Sequence, residues 1–313
     1  MPLRSSHLLL VFGLRLSEAR LSMFRPFLKA HVLVCAVIAL LSPASTLAAD
    51  PKPAEKSAEK SYVFGVVPQF ERRQLYAIWQ PVLNDISKRS GVSLHLATTL
   101  SVHDFEKEMA AGKFDFVFTN PYHVLKERKE QGYIPLVRGE APLKGILIVP
   151  KDSPIQSVQD MAGKTLAVPT LNALGASIMI QADLERLYGI KVGTQDVRTH
   201  ASVFLNVANN LVDSGGSVQK MLGEQKPEVR DRVRVIYTTR DMPSHPVAAH
   251  PRVPEAVRQN VQKAFLELDK SQEGGEILAR VPMHPLVATT MADYVMMEDW
   301  GLDKYWDIKG DLQ

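Results

Sequence analysis

The sequence predicts an α/β fold of two lobes joined by a double crossover, and three observations predict it. From Tyr62 onward, short β-branched or aromatic runs alternate with longer amphipathic stretches, the pattern of βαβ units around a mostly parallel sheet. A second, similar pattern opens after residue 150. The chain also passes between the two patterns twice, near 140–150 and near 240–247, so that lobe 1 spans 61–144 plus 243–313 and lobe 2 spans 145–242. A length of 313 residues suits two domains of roughly 150 residues each.

The elements follow in order. YVFGVV (62–67) reads as a first strand, and Leu75, Ile78, Trp79, Val82, Leu83 and Ile86 then recur at helical spacing until SGV (90–92) closes the helix. SLHLAT (93–98) is a second strand, and Ser101 is placed to cap the helix VHDFEKEMAAG. FDFVFT (114–119) is a third strand; Asn120-Pro121 turns the chain into a helix from Tyr122, a start that asparagine and proline both favour. IPLVRG and GILIVP (145–150) continue the sheet. In the second lobe TLAVP (165–169) and QDVRTH read as strands, LNALGASIMIQADLERLYG as a turn and helix, and ASVFLNVANNLVDSGGSVQKML as helical segments around a turn at Asp213–Gly216. VRVIYTT (233–239) is the last strong strand, followed by a Pro-rich connector and a long helix from Pro254.

The first 48 residues stand apart. They hold Arg4, Arg15, Arg20, Arg25 and Lys29 against Glu18 alone, so the net charge of +3 belongs to them and the remainder is slightly acidic. From Met23, the expected true start, the sequence shows a basic segment, the apolar run Val32 to Leu41, and small residues with Thr46 and Ala48 at −3 and −1: a cleavable secretory signal. The run is shorter than the roughly 18 apolar residues a membrane span needs. Residues 49–60, rich in Lys, Glu, Pro and Ala, read as a flexible tether. Export to a bacterial periplasm is the expectation. The single cysteine, Cys35, lies in the leader, so the exported chain has no disulfide, cysteine-ligated metal or thiol nucleophile. Without a basic folded part, nucleic acid is not expected as a partner.

Three strand ends run into helix starts that carry small hydroxyl or amide residues: Thr119-Asn120-Pro121-Tyr122, Thr170 to Ala176, and Thr199-His200-Ala201-Ser202. Free backbone N–H groups and the positive end of the macrodipole suit such starts to hold an anion, although Ser, Thr and Asn also cap helices with no ligand in view. Three such starts in one context across both lobes point to a site.

DFVFTNPYHV (115–124), PTLNALGASI (169–178), RTHASVFLNVANNLVDSGG (198–216) and MPSHPVAAHPRVPEAVRQNVQKAFLEL (242–268) resemble, in order, the PhnD-like phosphate, phosphite and phosphonate-binding proteins of ABC transporters. The resemblance covers about residues 61–270 and implies a type 2 periplasmic-binding-protein fold, two Rossmann-like lobes on a double-crossover hinge. It further implies a small oxyanion ligand and delivery to a membrane permease; a monomer without a cofactor is the expectation. Matched residue by residue, Thr119 and Asn120 fall in the first-lobe anion loop, Thr199, His200 and Ser202 in the second-lobe segment, and Ser101 near another contact. With Thr170 and Asn172 these form the expected ligand-binding set, Ser101 and Tyr122 at its rim. Asp213 is the one acid to suggest for a ligand ammonium.

The same fold serves an alternative role, a ligand-sensing or accessory protein acting on a membrane signalling or assembly partner. No GxSxG elbow, Walker loop or GxGxxG after the first strand supports catalysis, and the histidines at 95, 103, 245, 250 and 284 show no metal-ligand spacing. His123 and the mixed charges from Glu106 to Glu108 and Lys126 to Glu130 read as solvated helix faces. Met291, Met296 and Met297 read as packing of a terminal helix.

Overall fold

The computed structural model describes residues 60–281 and 283–307. The leader expected over 1–48 and all of the expected tether but Lys60 lie outside them. The chain begins with β1 (Ser61–Val66), α1 (Arg72–Ser90), β2 (Ser93–Ala97), α2 (Val102–Ala110), β3 (Phe116–Phe118), α3 (Pro121–Lys126) and β4 (Ile134–Gly139). Leu75, Trp79, Val82, Leu83 and Ile86 form the buried stripe of α1, and Gly91, at φ 68°, ends the helix in the left-handed conformation that glycine adopts without penalty. Trp79 packs between Phe64 of β1 and Phe118 of β3, with ring centroids 5.5 and 4.8 Å away. Full burial of such side chains contributes about 1.5–3 kcal/mol each.

The chain then crosses into a second sheet, through β5 (Gly145–Pro150), β6 (Thr165–Val168), the π-helical turn Leu174–Ile178, α4 (Met179–Tyr188), β7 (Gly193–Asp196), α5 (His200–Ala208), β8 (Ser214–Val218), α6 (Gln219–Gly223), α7 (Pro227–Arg230) and β9 (Val233–Thr238). It returns through β10 (Pro246–Ala249), α8 (Glu255–Asp269), α9 (Gln272–Arg280), β11 (Leu286–Ala288) and α10 (Ala292–Val295). The two sheets have strand orders β11-β4-β10-β3-β1-β2 and β7-β6-β8-β5-β9. Where the chain passes between them, Leu143 and Met242 pair antiparallel, each N–H donating to the other's carbonyl at 2.9 and 3.0 Å. The two passages are therefore joined by one antiparallel bridge.

Several local expectations are corrected. The sheets are mixed rather than mostly parallel: β1 pairs parallel with β2 and β3, and β6 with β7 and β8, but β5 and β10 run antiparallel to both neighbours. Each is the first strand after one of the two passages between the sheets, and β4 is likewise antiparallel to both its neighbours, β10 and β11.

The expected turn at Asp213–Gly216 is instead the start of β8, a buried strand between β6 and β5. Glycine is required there, because a Cβ on Gly216 would lie 1.8 Å from the Ala176 carbonyl oxygen. β10 also lies inside the stretch read as a connector. Its opening proline and two alanines give no strand signal, although all four residues are buried. QDVRTH is extended only to Asp196; Arg198 turns to φ 74°, its N–H donating to Asp196 Oδ1 at 2.7 Å, and Thr199 caps α5.

The C-terminal residues straddle the sheets. Tyr294, Met297 and Leu302 pack with Tyr122 and Leu125 of α3 and also with Leu174, Ile178, Met179 and Ala182. Met297 is buried as expected of core packing, whereas Met296 is exposed.

Candidate functional site

A cavity of about 490 Å³ lies between the loops that follow the strands of the two sheets. The first sheet contributes Val67–Gln69 after β1, Phe118 and Asn120 at the end of β3, His123 of α3, and Ser244 and His245 just before β10. The crossover contributes Ala141 to Lys144. The second sheet contributes Pro169, Thr170 and Asn172 to Ala176 after β6, Arg198 and His200 at the start of α5, and Val218 to Met221 after β8.

Four of the nine expected residues line it: Asn120, Thr170, Asn172 and His200. Asn120 caps α3, its Oδ1 accepting from the Tyr122 N–H at 2.9 Å, while its Nδ2 donates to the Asn172 carbonyl at 3.2 Å across the two loops. Asn172 Nδ2 donates to Glu106 Oε2 at 2.9 Å. His200 opens α5, with Nδ1 2.8 Å from Oγ of the fully buried Ser217. Loss of hydration in the cavity wall pushes its pKa down to about 4, so the imidazole is neutral at physiological pH.

The other five do not line the cavity, and each hydroxyl has a local partner. Ser101 Oγ accepts from the Asp104 N–H at 3.0 Å and donates to its carboxylate at 2.8 Å. Thr119 is fully buried, with Oγ1 2.8 Å from His123 Nδ1. The Tyr122 hydroxyl donates to Asp303 at 2.9 Å, and burial together with that carboxylate raises its pKa. Thr199 Oγ1 accepts from the Ser202 N–H at 3.0 Å and lies 2.8 Å from Ser202 Oγ. The hydroxyls that cap these helices satisfy them rather than facing the space, and only His200 of its segment reaches the lining.

Residues outside the expected set complete the wall. His245 and Gln69 approach with their Nε2 atoms 2.9 Å apart, and His245 stacks on Phe118 at 5.6 Å. Loss of hydration lowers the His245 pKa to about 3, aided by the neighbouring His123 and His200. A histidine between Ser and Pro in a connector carries no periodic signal, so only the resemblance of that segment could have drawn attention to it. His123 is buried, not on a solvated face: its Nε2 lies 3.0 Å from Glu106 Oε1 and its ring meets Trp306 edge-on at 5.4 Å. Glu106 is correspondingly drawn inward, with a side chain 16% exposed.

Lys144, Arg198 and Lys220 bring positive charge to the lining, and no Asp or Glu is among the described residues that form it. Asp213 lies elsewhere, 3.8 Å from Lys164 and half exposed. Among the described residues no group of three or more His, Cys, Asp or Glu is placed to hold a metal ion, and no helix is long and apolar enough to cross a membrane. Neutral amides, imidazoles and cations converging from two lobes can bind an anion by hydrogen bonds and charge.

The family model described as "ABC transporter, phosphonate, periplasmic substrate-binding protein" matches residues 64–294. The phosphonates-binding periplasmic protein of Escherichia coli (strain K12) is 22% identical over 288 residues, which cover 85% of this chain and 80% of that protein. A binding-protein component of an ABC phosphonate transporter from Pseudomonas aeruginosa superposes with a TM-score of 0.68 at 18% identity, over 79% of this chain and 87% of its own. PhnD1 from Prochlorococcus marinus (MIT 9301), solved in complex with methylphosphonate, superposes with a TM-score of 0.69 at 13% identity, over 79% and 98%. The two structures share the two-lobed architecture.

Proposed function

The chain belongs to the phosphonate family of periplasmic substrate-binding proteins of ABC transporters, and on that premise we propose that it captures a phosphonate or closely related phosphorus oxyanion between its lobes and presents it to a membrane permease. The observation that carries this reading is the composition of the cavity wall. Asn120, Thr170, His200 and His245 supply polar groups from both lobes, Arg198 and Lys220 supply charge, and no carboxylate among the described lining residues opposes an anion.

In this reading His200 presents Nε2–H to the ligand, with Ser217 donating to Nδ1 and selecting that tautomer. The paired crossover at Leu143 and Met242 is the hinge, because two strands linked by a single antiparallel bridge bend more readily than the sheets on either side. A hydrogen bond to a charged group contributes about 1.5–3 kcal/mol, so a few such donors suffice for micromolar capture, about 8 kcal/mol.

Thermal unfolding of the purified protein against phosphate, phosphite, methylphosphonate, sulfonates and small carboxylates tests the reading. Protein is first unfolded and refolded to strip carried-over ligand. A ligand at about a hundred times its Kd adds roughly 2.7 kcal/mol, or about 5–10 °C in Tm for a chain of this size. A shift confined to phosphorus oxyanions is the expected result. A shift for none of them, or for carboxylates alone, overturns it.

A further inference from the structure

Capture of a phosphonate leaves its substituent undetermined, and the wall of the cavity bears on that. A volume of about 490 Å³ falls within the roughly 300–1,000 Å³ of sites that enclose organic ligands. A bare oxyanion is only a few times the roughly 30 Å³ of a water molecule. Beside the polar residues the lining is apolar, including Phe118, Leu174, Ala176, Val218 and Met221, all buried side chains.

Charge limits the substituent further. An ammonium enclosed here would find Arg198 and Lys220 in the lining, Lys144 already paired with Asp241 at 3.2 Å, and no carboxylate among the described lining residues to pair with it, and an unpaired charge removed from water is strongly disfavoured. The carboxylate of Glu106 stands behind the wall, where Oε2 accepts from Asn172 Nδ2 at 2.9 Å and Oε1 lies 3.0 Å from His123 Nε2.

Resting on the capture reading above, we infer that the ligand is a phosphonate with an uncharged, apolar carbon substituent larger than methyl, and that the cavity discriminates against aminoalkyl phosphonates. The phosphoryl group sits among Asn120, His200 and His245. The substituent lies against Leu174, Val218 and Met221 and replaces water there.

Isothermal titration of the purified protein with methyl-, ethyl- and propylphosphonate, 2-aminoethylphosphonate and inorganic phosphate, near neutral pH, tests this. Propyl- and 2-aminoethylphosphonate have the same shape and differ by an ammonium in place of a terminal methyl. The expected result is an affinity that rises about threefold to fourfold per methylene, the fold-change equivalent to about 0.8 kcal/mol per buried methylene, with propylphosphonate at least tenfold tighter than 2-aminoethylphosphonate. Equal or tighter binding of 2-aminoethylphosphonate, or an affinity flat along the alkyl series, overturns the inference and leaves phosphonate capture standing. If neither phosphate nor any phosphonate binds, the capture reading fails and the inference with it.

Discussion

Asn172 and Asp307 are joined through both ends of one amide: Asn172 Nδ2 donates to the Asp307 carbonyl at 3.0 Å, and the Asp307 N–H donates to Asn172 Oδ1 at 2.8 Å. A cavity-lining residue of the second lobe thereby fastens the C-terminal segment, while its own backbone carbonyl accepts from Asn120 of the first. The same segment is held to α4 by Lys304 and Tyr305, both bonded to Glu185 at 2.5 and 2.7 Å, and by Arg186, which donates to the carbonyls of Trp300 and Gly301.

Replacing Asn172 by alanine strands the Asp307 N–H and one hydrogen bond to Glu106. The expected cost is about 1–3 kcal/mol, read as a fall of several degrees in Tm or a lower urea midpoint with unchanged slope. A midpoint within error of the parent would show that the amide does not anchor the C-terminus.

Thr199 and His200 are adjacent yet face different tasks, so their alanine variants should separate. Thr199→Ala removes the cap of α5 and should cost about 1 kcal/mol of stability while leaving ligand affinity within about threefold. His200→Ala should weaken phosphonate binding by about tenfold or more, as loss of a hydrogen bond to a charged group does, and also lower Tm because it strands the buried Ser217 hydroxyl. Titration calorimetry and thermal unfolding on both variants decide it, and the reverse assignment would return Thr199 to the site.

The two neutral histidines make stability depend on pH. The folded-state pKa of His200 is lowered to about 4 and that of His245 to about 3, against about 6.5 when unfolded. In that window the unfolded chain binds more protons, so stability rises with pH. The contribution is therefore full above about pH 6.5 and is lost as the pH falls through about 4 and then 3. Ligand-free Tm should decline over that range, and His200→Asn should decline less steeply. Parallel curves for parent and variant would exclude His200 as the origin.

Gly216→Ala places a methyl where the Ala176 carbonyl already stands, at 1.8 Å. Backbone on both sides leaves no flexible side chain to yield, so the expected loss is at least about 3 kcal/mol. Circular dichroism and solubility should report a protein largely unfolded at 37 °C. A well-folded variant with near-parental Tm would mean that β8 and the Leu174–Ile178 turn pack less closely than described.

Much of the first sheet is written locally. The stripe of α1, the caps at Ser101 and Asn120, and the aromatic strands around Phe64 and Phe116 need only neighbours a few residues away to declare themselves, and they fold where the periodicity places them. β8 and β10 behave differently. SGGSV and PVAA lack β-branched or aromatic runs, because what makes them strands is the partner on each side and the close approach of Ala176 to Gly216. Nothing in either segment's own composition encodes that partner.

The candidate site divides along the same line. The amino-acid sequence alone determined that three strand-to-helix junctions carry polar caps, that the residues after 48 lack cysteine, and that the chain matches the order of segments of a phosphonate-binding family. Which cap faces the cavity was decided only in three dimensions. Thr119, Thr199 and Ser202 turn their hydroxyls to partners within four residues, while His200, one position along from Thr199, reaches the lining. His245 and Gln69, 176 residues apart, meet there because β1 and β10 flank β3 in the same sheet. Helix starts are local, since a cap and the N–H it satisfies are sequence neighbours. A binding cavity is not, since its walls come from loops that only the two sheets and the paired crossover bring together.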